Sequence, residues 1–173
     1  MRVFIAIDLP RDVRKEIVRV QEKLPELKGK KTEEENLHLT LKFLGEIDEE
    51  KTELVKEKLR EIKFKKFEAE IDEIGVFSEK FIRIIWLHLS GCDKLQEEVD
   101  NKLKELFPKE RRFMSHLTIA RVKNVENKKE FLVKIRKIKI DKIKFAVNSF
   151  KLKKSILTRE KPVYEDILEI KLE

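Results

Sequence analysis

Two tetrapeptides constrain this chain more than any other feature: His38-Leu39-Thr40-Leu41 and its near copy His116-Leu117-Thr118-Ile119. Only three histidines are present, and two of them open these motifs. Successive side chains of an extended strand point to opposite faces. His and Thr, two residues apart, therefore share one face. Leu39 and Leu41, or Leu117 and Ile119, anchor the opposite face in a core. Each motif is a stiff strand that carries a titratable ring beside a hydroxyl.

The surroundings of the motifs repeat as well. Residues 2–8 read as a strand, and a helix comes next, from Arg11 to Leu24, with Val13, Ile17, Val20 and Leu24 as its buried stripe. Lys28 to Thr32 reads as a loop. Leu37 to Phe43 is the first motif strand, ended by Gly45. Asp48 caps a helix running to Ile62, and Phe67 to Phe77 is a strand with a break near Gly75. The order then recurs. Phe81 to Leu89 is a strand, and Cys92 or Asp93 starts a helix that Pro108 stops. His116 to Lys123 is the second motif strand, Asn127 to Lys137 a short helix, and Ile143–Leu157 and Val163–Leu172 are long strands. An internal duplication is expected. The fold class is α+β and bilobal. Two pseudo-twofold-related antiparallel sheets face a central cleft, with helices on the outside. The whole chain, 1–173, is expected to form one bilobal domain, with sequence halves 1–78 and 79–173.

Paired His and Thr suit a phosphate. Hydrolysis of a cyclic phosphodiester needs an incoming water deprotonated and a departing alkoxide protonated. Imidazole titrates near neutrality, so one ring can be neutral while its partner is charged. The Thr40 and Thr118 hydroxyls can donate to the non-bridging oxygens, where charge gathers. One His-x-Thr strand is ordinarily structural. Two copies with the same apolar punctuation, at matching places in a repeated pattern, make His38 and His116 candidate catalytic residues, with Thr40 and Thr118 beside them. No spacing of His, Cys and carboxylates suits a metal, so metal-independent chemistry without a cofactor is expected.

Composition narrows the partner. Net charge is +7, and it is uneven: +10 over residues 109–173 against −3 over residues 1–108. A basic half fits an anionic partner, with RNA or DNA leading; the alternative is a solvated Lys/Glu surface. Charged residues make up 43% of the chain, with 30 Lys and 26 Glu, a surface like a hyperthermophile's. Cys92 is the single cysteine, which excludes an internal disulfide and fits a reduced compartment. No stretch has the length of a signal peptide or membrane span. A cytoplasmic monomer, away from membranes, is expected.

The chain resembles the two-histidine (2H) phosphoesterase superfamily, specifically its RNA 2′,3′-cyclic phosphodiesterase branch, also called 2′-5′ RNA ligase. The segments that carry the likeness are Met1–Pro10, Glu35–Gly45, Ser115–Arg121, Ser155-Ile156-Leu157 and Pro162-Val163-Tyr164, so it covers essentially the whole chain. Ser115 stands where many relatives have Pro, and Lys161 where Gly is common. The resemblance implies hydrolysis of RNA ends carrying a 2′,3′-cyclic phosphate to 2′-phosphate ends. His38 would be the proton donor and His116 the proton acceptor, with 2′-5′ ligation as a reverse activity. The rivals are a catalytically idle RNA-binding protein, a metal protein using His38, His88 and His116, and a 2H enzyme acting on ADP-ribose cyclic phosphate or 2′-5′ oligonucleotides.

Arg121 is the further phosphate ligand that the resemblance suggests. Five residues from His116, it has the wrong parity for a regular strand; a bulge between Thr118 and Arg121 would turn it onto the His face, and without one it is a surface residue. Lys42 has the parity of His38 and is a candidate substrate contact, or else an exposed lysine. Phe43 has core parity. His88 shares a face with Trp86 and reads as a packed or edge histidine rather than a catalytic one. Ser90-Gly91-Cys92 opens a helix and reads as a cap, with an anion site as the alternative. Lys134 to Ile140 reads as a solvated basic face or an RNA track.

Overall fold

The computed structural model describes all 173 residues. The strands are β1 (Arg2–Asp8), β2 (Lys28–Lys31), β3 (His38–Glu46), β4 (Phe67–Val76), β5 (Ile84–Ser90), β6 (His116–Asn124), β7 (Ile143–Val147), β8 (Ser149–Leu157) and β9 (Pro162–Lys171). The helices are α1 (Arg11–Glu22), α2 (Glu49–Arg60), α3 (Asp93–Leu103) and α4 (Lys128–Lys137). Two of the helix starts come directly from the sequence. The Asp48 carboxylate accepts from the Lys51 amide at 2.8 Å, and the Asn127 side chain accepts from the Glu130 amide at 3.1 Å. Such caps contribute about 1 kcal/mol each.

All strand pairings are antiparallel, in two sheets ordered β3-β1-β8-β9 and β2-β6-β5-β4-β7. The α+β class with two antiparallel sheets and four helices is as expected. Four strands of each sheet follow one plan, and the second sheet adds β2 at its edge. A motif strand (β3 or β6) lies beside the opening strand of its own half (β1 or β5). Next to that comes a strand from the other half: β8 in the first sheet, β4 in the second. The sheets therefore do not divide the chain at residue 78. Each half lends two strands to the sheet of the other, β8 and β9 in one direction and β2 and β4 in the other, and local sequence patterns do not encode which strand a strand will pair with.

The exchange leaves the sheets tied together. β7 and β8 lie in different sheets, yet only Asn148 separates them. The Asn148 carbonyl accepts from the Leu172 amide at 2.8 Å. Glu173 donates to the Phe64 carbonyl at 2.9 Å and accepts from the Lys66 amide at 3.0 Å. Those two residues lie on the crossover that carries β4 away from α2. The helices cross over too: α1 packs against β6 and α3 against β3. As a result, 39 buried apolar residues from both halves form one continuous core.

The Lys28–Lys31 segment, read as a loop, is a fully exposed edge strand on β6. It has no apolar alternation to mark it, and its lysines suit an edge that must not pair with another chain. Gly75 is not a break in β4. A Cβ there would lie 2.6 Å from the Trp86 ring, so the missing side chain seats the indole.

Candidate active site

Both motif strands carry the same irregularity. In β3, Lys42 pairs with Ile5 and Thr40 with Ala6, which leaves Leu41 as an extra residue. In β6, Ala120 pairs with Ile85 and Thr118 with Trp86, which leaves Ile119 extra. A bulge of one residue reverses the parity of the strand beyond it. Leu39, Leu41 and Leu44 are buried together with Lys42, while Phe43 is exposed. Leu117, Ile119, Ala120 and Val122 are buried, while Arg121 is exposed. The bulge thus turns Phe43 and Arg121 onto the face of the histidines and threonines. A sequence signal for it exists: the apolar spacing is 2 and then 3 in both copies (39, 41, 44 and 117, 119, 122).

The expectation for Lys42 is corrected by this geometry. Its side chain lies on the core face, 3% exposed. The ammonium donates to Asp100 Oδ1 at 2.6 Å and to the Pro108 carbonyl at 2.7 Å. Burial alone would raise the Asp100 carboxyl, but Lys42, the Glu110 amide and Gln96 outweigh it and hold it low. Lys42 is an anchor between β3 and α3, and it does not face the cleft. The second motif is anchored differently. Buried Gln21, on α1, donates to the Ile119 and Thr32 carbonyls at 2.9 and 2.8 Å. The Thr32 hydroxyl donates to the Thr118 carbonyl at 2.9 Å. Each bulge is therefore held by a helix of the opposite half. Sequence reasoning missed Gln21 and Thr32, whose roles depend on that crossing.

The rings themselves are set alike. His38 Nδ1 lies 2.7 Å from the Asn36 carbonyl, and His116 Nδ1 lies 2.7 Å from the Met114 carbonyl. A carbonyl only accepts, so Nδ1 carries the hydrogen in both rings and Nε2 is the working atom. His38 Nε2 meets the Thr40 hydroxyl at 2.9 Å. Tyr164 packs edge-on against His38 at 5.1 Å between centroids, and Phe77 against His116 at 4.8 Å. Burial pushes the His38 imidazole below its ordinary value, and Lys153 and Arg121 push the same way; the Asn36 carbonyl and Asp8 work against them.

The strands β3 and β6 pass close together without pairing. Arg121, on β6, acts on both His38 and Tyr164 of the other sheet. It lies in the cleft on the face of His116 and Thr118. Beside His38, a cavity of about 210 Å³ opens between Asp8, Asn36, Lys153, Lys161, Val163 and Tyr164. Asp8, directly across from His38 in register, is bound by Lys151 at 2.7 Å and Lys153 at 2.8 Å, and both lysines also bind Asp166.

His88 is not at an edge: it is partly buried on β5, between β6 and β4. It stands directly across from His116 and binds Asp72 at 2.7 Å. His38, His88 and His116 do not form a metal site, since no three His, Cys, Asp or Glu side chains gather closely enough to hold an ion. Cys92 is buried, with its thiol pushed up by burial to about 12, which leaves it a core residue. Lys134 and Arg136 pair with Glu130 and Glu79 on an exposed face. No helix is long and apolar enough to cross a membrane.

The profile of a family described as LigT like Phosphoesterase matches residues 7–86 and residues 90–164. The chain is 42% identical to the RNA 2′,3′-cyclic phosphodiesterase of Methanocaldococcus jannaschii, over 98% of this chain and 99% of that one. It is 39% identical to the protein of the same name from Thermotoga maritima, over 100% of this chain and 96% of that one. Among solved structures, Escherichia coli LigT complexed with 3′-AMP superposes with a TM-score of 0.78 at 26% identity, covering 99% of this chain and 97% of that one.

Proposed function

The chain belongs to the LigT-like phosphoesterase family, and from that premise we propose that it hydrolyses RNA ends carrying a 2′,3′-cyclic phosphate to 2′-phosphate ends, by proton transfer between His38 and His116. The observation that carries this reading is the doubled geometry: two imidazoles with Nδ1 held by a backbone carbonyl, each beside a threonine of its own strand, on strands that pass close together.

His116 Nε2 takes a proton from water, and the water oxygen attacks phosphorus. The P–O3′ bond breaks, and His38 Nε2 gives its proton to O3′. The lowered value of His38 makes its imidazolium the readier donor. Each such transfer is worth about 10²–10⁴ in rate. The Thr40 and Thr118 hydroxyls donate to the non-bridging oxygens, and the Arg121 guanidinium meets the charge gathered there. All five groups are protein side chains, and no step of the proposed reaction is assigned to a metal. With an RNA 5′-hydroxyl in place of water, the same steps form a 2′-5′ linkage. The partner is single-stranded RNA, drawn by the basic second half of the chain.

The test is incubation of the purified protein, in EDTA, with an RNA oligonucleotide ending in a 2′,3′-cyclic phosphate, and then identification of the product isomer. A 2′-phosphate product is expected. A 3′-phosphate, or no turnover, overturns the reading.

A further inference from the structure

His88 is the one histidine that the proposed reaction does not use, yet it stands directly across from His116 on the neighbouring strand. The Leu89 amide donates to the Ser115 carbonyl at 3.1 Å, which makes His88 and His116 a non-hydrogen-bonded cross-strand pair. In such pairs the side chains are at their closest. Both are partly exposed on the cleft face. Asp72 owes its place to a bulge in β4: Ile71 pairs with Leu89 and Glu73 with His88, and Asp72 is the extra residue. Its carboxylate accepts from His88 Nδ1 at 2.7 Å, which leaves Nε2 free of any protein partner. The strand order β6-β5-β4 puts the His88 ring between His116 and the Asp72 charge. The corresponding neighbour of His38 is a carboxylate, Asp8.

We propose that His88, clamped by Asp72, is a positioning residue for His116: its ring stands between His116 and the Asp72 carboxylate, and when it carries a proton it opposes protonation of His116. The inference rests on His116 being the base of the proposed hydrolysis. The other charged groups on this face are Glu73 across from His88, Glu70 across from Ser90 with Lys144 and Lys142 beside it, Arg121 further along β6 and Lys30 across from Arg121. Across the cleft stand His38, with Asp8 and Lys153 at its side. None of these is changed by substitution of His88.

The experiment tracks the three imidazoles by NMR titration in the full chain, in the wild type, in His88→Gln and in His88→Lys. Glutamine is neutral and still able to donate to Asp72; lysine carries a fixed charge. In His88→Gln the His116 midpoint is expected to rise by roughly half to one pH unit, and in His88→Lys to stay at or below that of the wild type. The acidic limb of kcat/KM for the cyclic-phosphate RNA should move with the midpoint. Equal His116 midpoints in the two variants, or no rise in the glutamine variant, overturn the proposal. The titration needs no turnover, so a protein inactive on cyclic phosphate defeats the proposed hydrolysis while the imidazole coupling is still read.

Discussion

The two motif strands begin identically and end differently. Through His-Leu-Thr they match, down to the carbonyl that holds each Nδ1 and the bulge after the threonine. Past the bulge they part: β3 presents Phe43 to the cleft where β6 presents Arg121, and β3 buries Lys42 where β6 buries Ala120. Their cross-strand neighbours differ as well, Asp8 beside His38 and His88 beside His116. The shared part supplies the two groups to which the proposed reaction gives proton transfer. The unshared part gives them different surroundings, and only a pair in unequal surroundings can divide the work of donor and acceptor.

The comparison can be broken most severely at the shared part. His38→Ala and His116→Ala should each lower kcat by about 10²–10⁴, with the double variant little worse than either single one. RNA binding should survive both, as filter binding would reveal. A strong loss in one variant alone would mean that the copies are not partners.

Next comes the buried contrast between Lys42 and Ala120. Lys42→Ala strands the Asp100 carboxylate and should cost about 3–5 kcal/mol of stability, measured by urea unfolding, while folded molecules keep their kcat. Because Asp100 is held low, that contribution is present above the ordinary carboxylate range and is lost as pH falls through the folded value. The gap between wild type and variant should therefore close in acid. A kcat loss without a stability loss would restore Lys42 to the cleft.

The exposed contrast should be smaller. Arg121→Ala should lower kcat/KM about 10- to 100-fold, the worth of a charge-assisted hydrogen bond. Phe43→Ala should change it only about 3-fold, the scale of one weak apolar contact. Equal effects would mean that the two positions do the same job.

The smallest effect is one of pH. As a donor, His38 must carry its proton, yet burial holds its imidazole below the ordinary value. Its midpoint, followed by NMR titration, should lie below that of a free imidazole in the empty protein and rise when inorganic phosphate binds, because phosphate favours the imidazolium. A midpoint at or above the free-imidazole value, or one that phosphate leaves unmoved, would detach His38 from the donor role.

Most of the elements and the two motif strands are legible in the sequence, because alternation and helical spacing are local. The faces of His38, Thr40, His116 and Thr118 come from strand parity alone. Parity carried past Leu41 puts Lys42 and Phe43 on each other's faces. The extra residue there shows only in pairing with β1, although the 39, 41, 44 spacing marks it. Arg121 escapes the same error because its bulge is named as the condition. His88 goes astray for a related reason: its face is right, but its neighbour is fixed by the register of β5 on β6. The exchange of β4 and β8 lies wholly outside local pattern, since nothing within a strand names its partner.

That exchange bears on how an RNA end gets in. A cleft between two independent lobes can gape on a hinge; here, gaping would tear backbone ladders at Asn148, Phe64, Lys66 and Glu173 at once. The two sheets are effectively a single casting, so a substrate must fit the cleft as it stands rather than have the cleft open around it.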